Sequence, residues 1–125
     1  MGKTTFDQVV GFGDWPYAQY RNIVLTHDAD ATTDTAGVEF THAPIAEVAN
    51  ALSSQNGNIW IMGGADVTRQ FIEAGLVDSL EIFTMPITLN RGVALFADES
   101  WRERYEVVTQ STYEDGVKRT FYRAI

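Results

Sequence analysis

Residues 59–69 read IWIMGGADVTR, an apolar run that stops at Gly63-Gly64 and gives way to a helical pattern. Strand, two glycines and helix form an arrangement able to hold a phosphate. A helix N-terminus presents backbone N–H groups without intrahelical partners and the positive end of the helix dipole. Glycine just before it allows a ligand close to the backbone. In an open parallel sheet, ligands lie beyond the carboxyl ends of the strands, which is where this pair falls. The same residues can equally make a tight turn with no ligand. Asp66 either caps the helix or sets a negative charge beside the anion site. The N-terminal MGKTTF is the second candidate. Gly2, Lys3, Thr4 and Thr5 supply flexible backbone, one cation and two hydroxyls ahead of a helix. That suits a phosphate, and the alternative is a frayed terminus with a solvated lysine.

Other chemistries find less support. His27 and His42 are the only histidines, fifteen residues apart, with no carboxylate at metal-ligand spacing on a shared helix. They read as solvent-facing loop residues, and no metal is expected. There is no cysteine, no Gly-x-Ser-x-Gly elbow, no Walker pattern and no Gly-x-Gly-x-x-Gly. Ser53, His42 and Asp34 could be imagined as a triad, but nothing in their spacing supports one.

The elements that must position these residues follow from pattern. Residues 4–10 suit a short helix burying Phe6, Val9 and Val10. Residues 11–17, GFGDWPY, break it. RNIVLT (21–26) and VEFT (38–41) read as strands. Residues 43–57 form the clearest helix, with Pro44 in the first turn, Ile45, Val48, Ala49 and Leu52 as one apolar stripe, and Gly57 at the end. A strand over 58–62 leads to Gly63-Gly64. A helix follows over roughly 65–74, with Val67, Phe71 and Ala74 inward, Gly75 past its end and Leu76 closing it. Residues 78–89 alternate as a strand with Pro86 at its end or on a bulge. Two further strand-like runs flank Asp115-Gly116, a strong hairpin signal. Strands alternating with helices imply a parallel sheet covered on both faces, made mixed by the hairpin. No repeat or linker divides the chain, so residues 1–125 are expected to form a single domain.

Composition sets bounds. The chain has 125 residues, 45% hydrophobic and 21% charged, ordinary for a globular domain. Its net charge is −8, with scattered lysines and arginines, so nucleic acid is an unexpected partner. No stretch has the roughly 20 apolar residues of a membrane span. The start lacks the apolar core of a signal peptide. A cytoplasmic protein acting on a small-molecule substrate, away from membranes, is expected.

Two segments together resemble a known family. MGKTTF resembles the M-G-[RK]-x-T-[WFY] motif of dihydrofolate reductases. The run from Ile59 to Phe96 resembles their strand-Gly-Gly-helix segment. It is still more similar to the reductase domain of riboflavin biosynthesis, through AGLVDSL (74–80), Pro86 and the turn from Gly92 to Phe96. The resemblance implies a doubly wound, mostly parallel α/β sheet with helices on both faces and a C-terminal antiparallel hairpin. It implies NADPH as cofactor and hydride transfer to a heterocyclic or ribosylamino substrate. Gly2, Lys3, Thr4 and Thr5 would lie at the cofactor phosphates. Leu25, Thr26 and His27 would line the adenosine side, with Thr26 and His27 at the 2′-phosphate. Met62, Gly63 and Gly64 would face the pyrophosphate or nicotinamide, with Gly63–Gly64 a cis bond. Ala65, Asp66, Val67 and Thr68 would begin the next helix.

Family members carry a strand and a helix before the M-G-[RK] motif, and this sequence starts at the motif. A shortened domain is therefore expected, with an open apolar sheet edge that favours a homodimer. The acidic residue that dihydrofolate reductase uses would lie in that preceding part, so no catalytic acid is assigned. The alternative function is a catalytically inactive remnant that binds nucleotide or oligomerises.

Overall fold

A computed structural model describes residues 1–55 and 57–125. The Asn56 position of the helix expected over 43–57 lies outside the described residues. The elements in order are α1 (Lys3–Val10), β1 (Asn22–Leu25), β2 (Val38–Thr41), α2 (Ile45–Ser53), α3 (Ala65–Glu73), β3 (Ser79–Thr84), a 3-10 turn (Ser100–Arg104), β4 (Tyr105–Thr112) and β5 (Lys118–Ala124). The fold is a mixed α/β one with a parallel and an antiparallel sheet. Two compact units divide the chain, Met1–Gln70 and Phe71–Ile125. Among the described residues, no helix is long and apolar enough to cross a membrane.

In the first unit, β1 and β2 pair in parallel, Asn22 opposite Val38 through Leu25 opposite Thr41. Val24 is fully buried, as a strand covered on both faces requires. Phe6, the buried residue of α1, meets the Trp15 and Phe40 rings edge-on, each at 5.2 Å between centroids. The aromatic contacts continue from Trp15 to Tyr17 at 5.4 Å and from Tyr17 to Trp60 at 6.0 Å. Asn22 is a buried polar residue whose amide donates to the Tyr17, Tyr20 and Gly37 carbonyls, at 2.8, 2.8 and 3.2 Å. Its burial is therefore satisfied, and the glycine-rich loop before β1 is tied down. Val48 and Ala49 bury the middle of the α2 stripe.

Three expectations need correction here. Helix α2 runs only from Ile45 to Ser53, so Gly57 does not end it, and Pro44 sits one residue before the helix. Residues 58–62 form no strand ladder. Their apolar alternation is the local signature of a strand, but a strand also needs a partner, and here the Gly2–Gly63 hydrogen bond lies just past the run. On α3, Phe71 and Ile72 are the buried residues, while Ala74 is exposed past the helix end.

The second unit orders its strands β3-β5-β4, all antiparallel. A bulge at Val108 shifts the β4 register between Val107 and Thr109. Ile72, Trp101, Tyr105 and Tyr122 form its core, with Val77, Leu80, Ile82 and Phe96 packed on them. Trp101 arrives on the 3-10 turn, stacks on Phe96 at 4.5 Å and meets Tyr122 edge-on at 5.1 Å. The Tyr105 hydroxyl donates to the Val77 carbonyl at 2.9 Å. Strand β3 stops at Thr84, short of the expected 89, because Pro86 has no N–H to donate to a ladder.

The end of α3 is a Schellman arrangement. Leu76 N–H donates to the Phe71 carbonyl at 2.9 Å, and Gly75 N–H to the Ile72 carbonyl at 3.0 Å. Gly75 has φ 69°, and a Cβ there would meet nothing within 4 Å. The penalty of Gly75→Ala is thus purely conformational, and urea unfolding should show a loss of about 1 kcal/mol. No loss at all would contradict this account of the cap.

Candidate functional site

Met1 and Gly2 run alongside β1. The Met1 terminal amine donates to the Ile23 carbonyl at 3.0 Å, and the Leu25 N–H donates to the Met1 carbonyl at 2.9 Å. Gly2 and Leu25 then form a parallel bridge. This alignment aims the start of α1 at Gly63, whose carbonyl accepts the Gly2 N–H at 2.8 Å. The Gly63–Gly64 peptide is cis, as the resemblance implied.

Two helix N-termini therefore abut. A Cβ on Gly2 would lie 3.1 Å from Val67 Cγ2 and 4.0 Å from the Gly64 nitrogen. The Gly2 carbonyl accepts the first helical N–H of α1, from Phe6 at 3.1 Å, and the Gly64 carbonyl accepts that of α3, from Thr68 at 3.0 Å. The preceding N–H groups, of Lys3, Thr4 and Thr5 on one helix and of Ala65, Asp66 and Val67 on the other, have no hydrogen-bond partner among the described residues. No side chain caps α1. The two positive dipole ends thus reinforce one another at one place.

Hydroxyls flank the glycines. A Cβ on Gly64 would lie 3.3 Å from Thr5 Oγ1. A Cβ on Gly63, where φ is 106°, would lie 4.0 Å from Thr68 Oγ1. Gly63 is buried and Gly64 exposed, so the backbone surfaces where the helices meet. Free donors, two hydroxyls and a cradle that a side chain would fill suit a phosphate group.

The structure brings Gly2, Thr5, Leu25, Gly63, Gly64, Val67 and Thr68 to this place. Ala65 opens α3 beside them, and Met62, half-buried, precedes the glycines. Thr4 is exposed. Lys3 spends its charge locally, with its ammonium 2.7 and 2.8 Å from the two Asp7 carboxylate oxygens and 5.6 Å from the centre of the Phe40 ring. Asp66 is not a backbone cap. Its carboxylate accepts from Arg69 at 2.8 Å and Gln70 at 2.7 Å. These hydrogen bonds, Arg69 first, hold its carboxyl below the usual range, with a smaller contribution from the charge of His27. A negative charge accordingly stands at the first turn of α3.

Thr26 and His27 follow the carboxyl end of β1. The Thr26 N–H donates to the Thr41 carbonyl at 2.9 Å, and its Oγ1 accepts the Asp28 N–H at 3.1 Å. Sequence reasoning missed two neighbours. Asp7 is the partner of Lys3, and its i,i+4 spacing was the signal. Thr41 ends β2 as Thr26 follows β1, its Oγ1 accepting the Ala43 N–H at 3.1 Å. The signal there was the recurrence of Thr-His after both parallel strands. Among the described residues, no group of three or more His, Cys, Asp or Glu could hold a metal.

Comparisons with known proteins bear on this geometry. Residues 16–118 match the family model of the RibD C-terminal domain. The Bacillus subtilis protein YyaP is 34% identical over 84 residues, 66% of this chain and 45% of YyaP. Its compatriot YwjB is 24% identical over 125 residues, 99% of this chain and 72% of YwjB. The chain thus spans less than half the length of YyaP. Among solved structures, a Shewanella sp. PV-4 protein named for riboflavin biosynthesis superposes with a TM-score of 0.84 at 24% identity, covering 100% of this chain and 72% of that one. A pyrimidine reductase-like protein of Corynebacterium diphtheriae gives 0.61 at 22% identity, covering 82% and 50%.

Proposed function

Since the chain belongs to the RibD C-terminal domain family, we propose that it is an NADPH-dependent reductase that holds the cofactor pyrophosphate where α1 and α3 meet. The observation that carries this reading is the convergence of two helix N-termini at Gly2 and Gly63-Gly64, with their leading N–H groups unpartnered among the described residues. The backbone donors at Lys3–Thr5 and Ala65–Val67 bind the phosphate oxygens, and the Thr5 and Thr68 hydroxyls add two more donors. Leu25, Thr26 and His27 take the adenosine side. When bound, the cofactor supplies the hydride. The chain's own part is to bind, orient and keep the backbone close enough for contact, which is the protein's usual share in such chemistry. The substrate is a small heterocyclic or ribosylamino compound. The reading carries with it a doubly wound sheet and a single working domain.

Asp66 is the residue that opposes this site. Its carboxylate lies at the end of α3 where negative charge on a ligand gathers. Asp66→Asn should tighten NADPH binding by about two- to fivefold at low salt, the gain fading as salt screens the charge. Weaker binding by the variant would instead make Asp66 a ligand.

Titration with NADPH, followed by tryptophan fluorescence, tests the reading. Trp60 precedes Gly63 by three residues and should report occupancy. Saturable quenching, with NADPH oxidation in the presence of a ribosylaminopyrimidine, is expected. Binding without turnover on pyrimidine or pteridine substrates would favour the inactive nucleotide-binding form.

A further inference from the structure

Resting on the reading of the site as one for NADPH, we propose that Asp7 is a specificity-determining residue there: by holding the Lys3 ammonium it weakens the hold of that cation on the 2′-phosphate, and so limits the preference for NADPH over NADH. The two cofactors differ only by that phosphate.

The register of the parallel pair shows where the Lys3 charge lies. Val24 stands opposite Phe40. Side chains alternate along a strand, so Thr26 emerges on the same face as Val24 and Phe40. The Thr26 N–H still donates to the Thr41 carbonyl at 2.9 Å, which carries the pairing one residue past β1. Helix α1 covers this face, since Phe6 meets Phe40 edge-on. The Lys3 ammonium hangs 5.6 Å from the centre of the Phe40 ring. Its backbone N–H thus opens where the two helices meet, while its ammonium belongs to the side on which Thr26 stands.

Helix energetics do not explain the Lys3–Asp7 pair. Lys3 is the first residue of α1, where the positive end of the dipole disfavours a cation. With the cation N-terminal to the anion, an i,i+4 pair also stabilises a helix less than the reverse order does. A negative ligand accounts for a cation kept at this end. In the free protein Asp7 neutralises it, with both carboxylate oxygens accepting from the ammonium at 2.7 and 2.8 Å. The Lys3 and Asp7 side chains stay 37% and 55% exposed, so a ligand can reach the ammonium and the pair can open. A 2′-phosphate must therefore compete with Asp7 for Lys3.

Calorimetric titration of the full chain with NADPH and with NADH is the test, on the wild type, Asp7→Asn, Asp7→Glu, Lys3→Met and the double variant Lys3→Met with Asp7→Asn. Asp7→Asn should tighten NADPH about three- to fivefold and NADH by less than about 1.5-fold, within the range of an exposed ion pair. At about 1 M salt, where the screening length is about 3 Å, the gain should vanish. Asp7→Glu keeps a carboxylate within reach of Lys3 and should keep the wild-type ratio of affinities. In the Lys3→Met background, Asp7→Asn should move that ratio by less than about 1.5-fold, because Asp7 acts through Lys3. Equal tightening of both cofactors, unchanged or weaker NADPH binding in Asp7→Asn, or a ratio that moves as far without Lys3 would each overturn the role of Asp7 while leaving the cofactor reading standing. Saturable binding of neither cofactor by the wild type would overturn both together.

Discussion

Gly64→Ala should weaken NADPH binding about tenfold, a loss of about 1.4 kcal/mol, while the melting temperature moves by no more than about 4 °C. The added methyl would sit 3.3 Å from Thr5 Oγ1, on the exposed side of the junction between α1 and α3. On the proposed reading, it occupies the space through which the cofactor phosphate would reach the backbone donors of α1 and α3. Gly64 has no positive φ, so alanine brings no strain of the left-handed kind. A companion variant separates crowding of Thr5 from blockage of the ligand. Thr5→Ala, made alone and in the Gly64→Ala background, removes the near contact, so the double variant should regain any lost stability yet bind NADPH more weakly than Thr5→Ala alone. If affinity were unchanged in Gly64→Ala, the phosphate would not lie against this glycine.

The largest expected loss of stability comes from Trp101. Its ring stacks on Phe96, meets Tyr122 edge-on, and carries the Arg102 guanidinium at 4.6 Å from its centre. Trp101→Ala deletes the central member of this core, and a loss of about 3–5 kcal/mol is expected by denaturant unfolding. Trp101→Phe should cost much less. The buried indole N–H has no hydrogen-bond partner among the described residues, so its removal forfeits no bond and relieves an unsatisfied donor. If phenylalanine cost as much as alanine, the indole N–H would be paired after all.

What was legible in the sequence is what short-range physics determines. The Asp115-Gly116 turn is local, and Gly116 indeed takes φ 85° between β4 and β5. The end of α3 needed only Gly75 and Leu76. Helix α1 and the parallel strands β1 and β2 were also visible, from apolar runs bounded by breakers. Residues 58–62 were misread because a ladder depends on a distant partner, which no local pattern encodes. The 3-10 turn around Trp101 escaped because one turn of helix carries no periodicity to detect.

The candidate site divides in the same way. Gly63-Gly64 was visible as a break between an apolar run and a helical pattern, although a tight turn without a ligand explained it equally well. The likeness to reductase sequences drew Gly2 and Thr5 into the same frame. That Gly2 comes to lie against Val67, and Thr5 beside Gly64, depends on how Met1 and Gly2 align with β1. Lys3 was the cation that the resemblance placed at the cofactor phosphates, yet its pairing with Asp7 lay equally in view four residues on. Asp66, open in the sequence between a helix cap and a charge beside the anion site, accepts from Arg69 and Gln70 because long side chains one turn ahead reach it.

The most direct test of the central claim is an NMR titration of the isotope-labelled chain with NADPH, read at individual backbone amides. The account predicts saturable shifts concentrated at Lys3, Thr4, Thr5, Gly64, Ala65, Asp66 and Val67, the donors left open at the meeting of α1 and α3. Shifts that leave these amides unmoved, or none at millimolar NADPH, would contradict it.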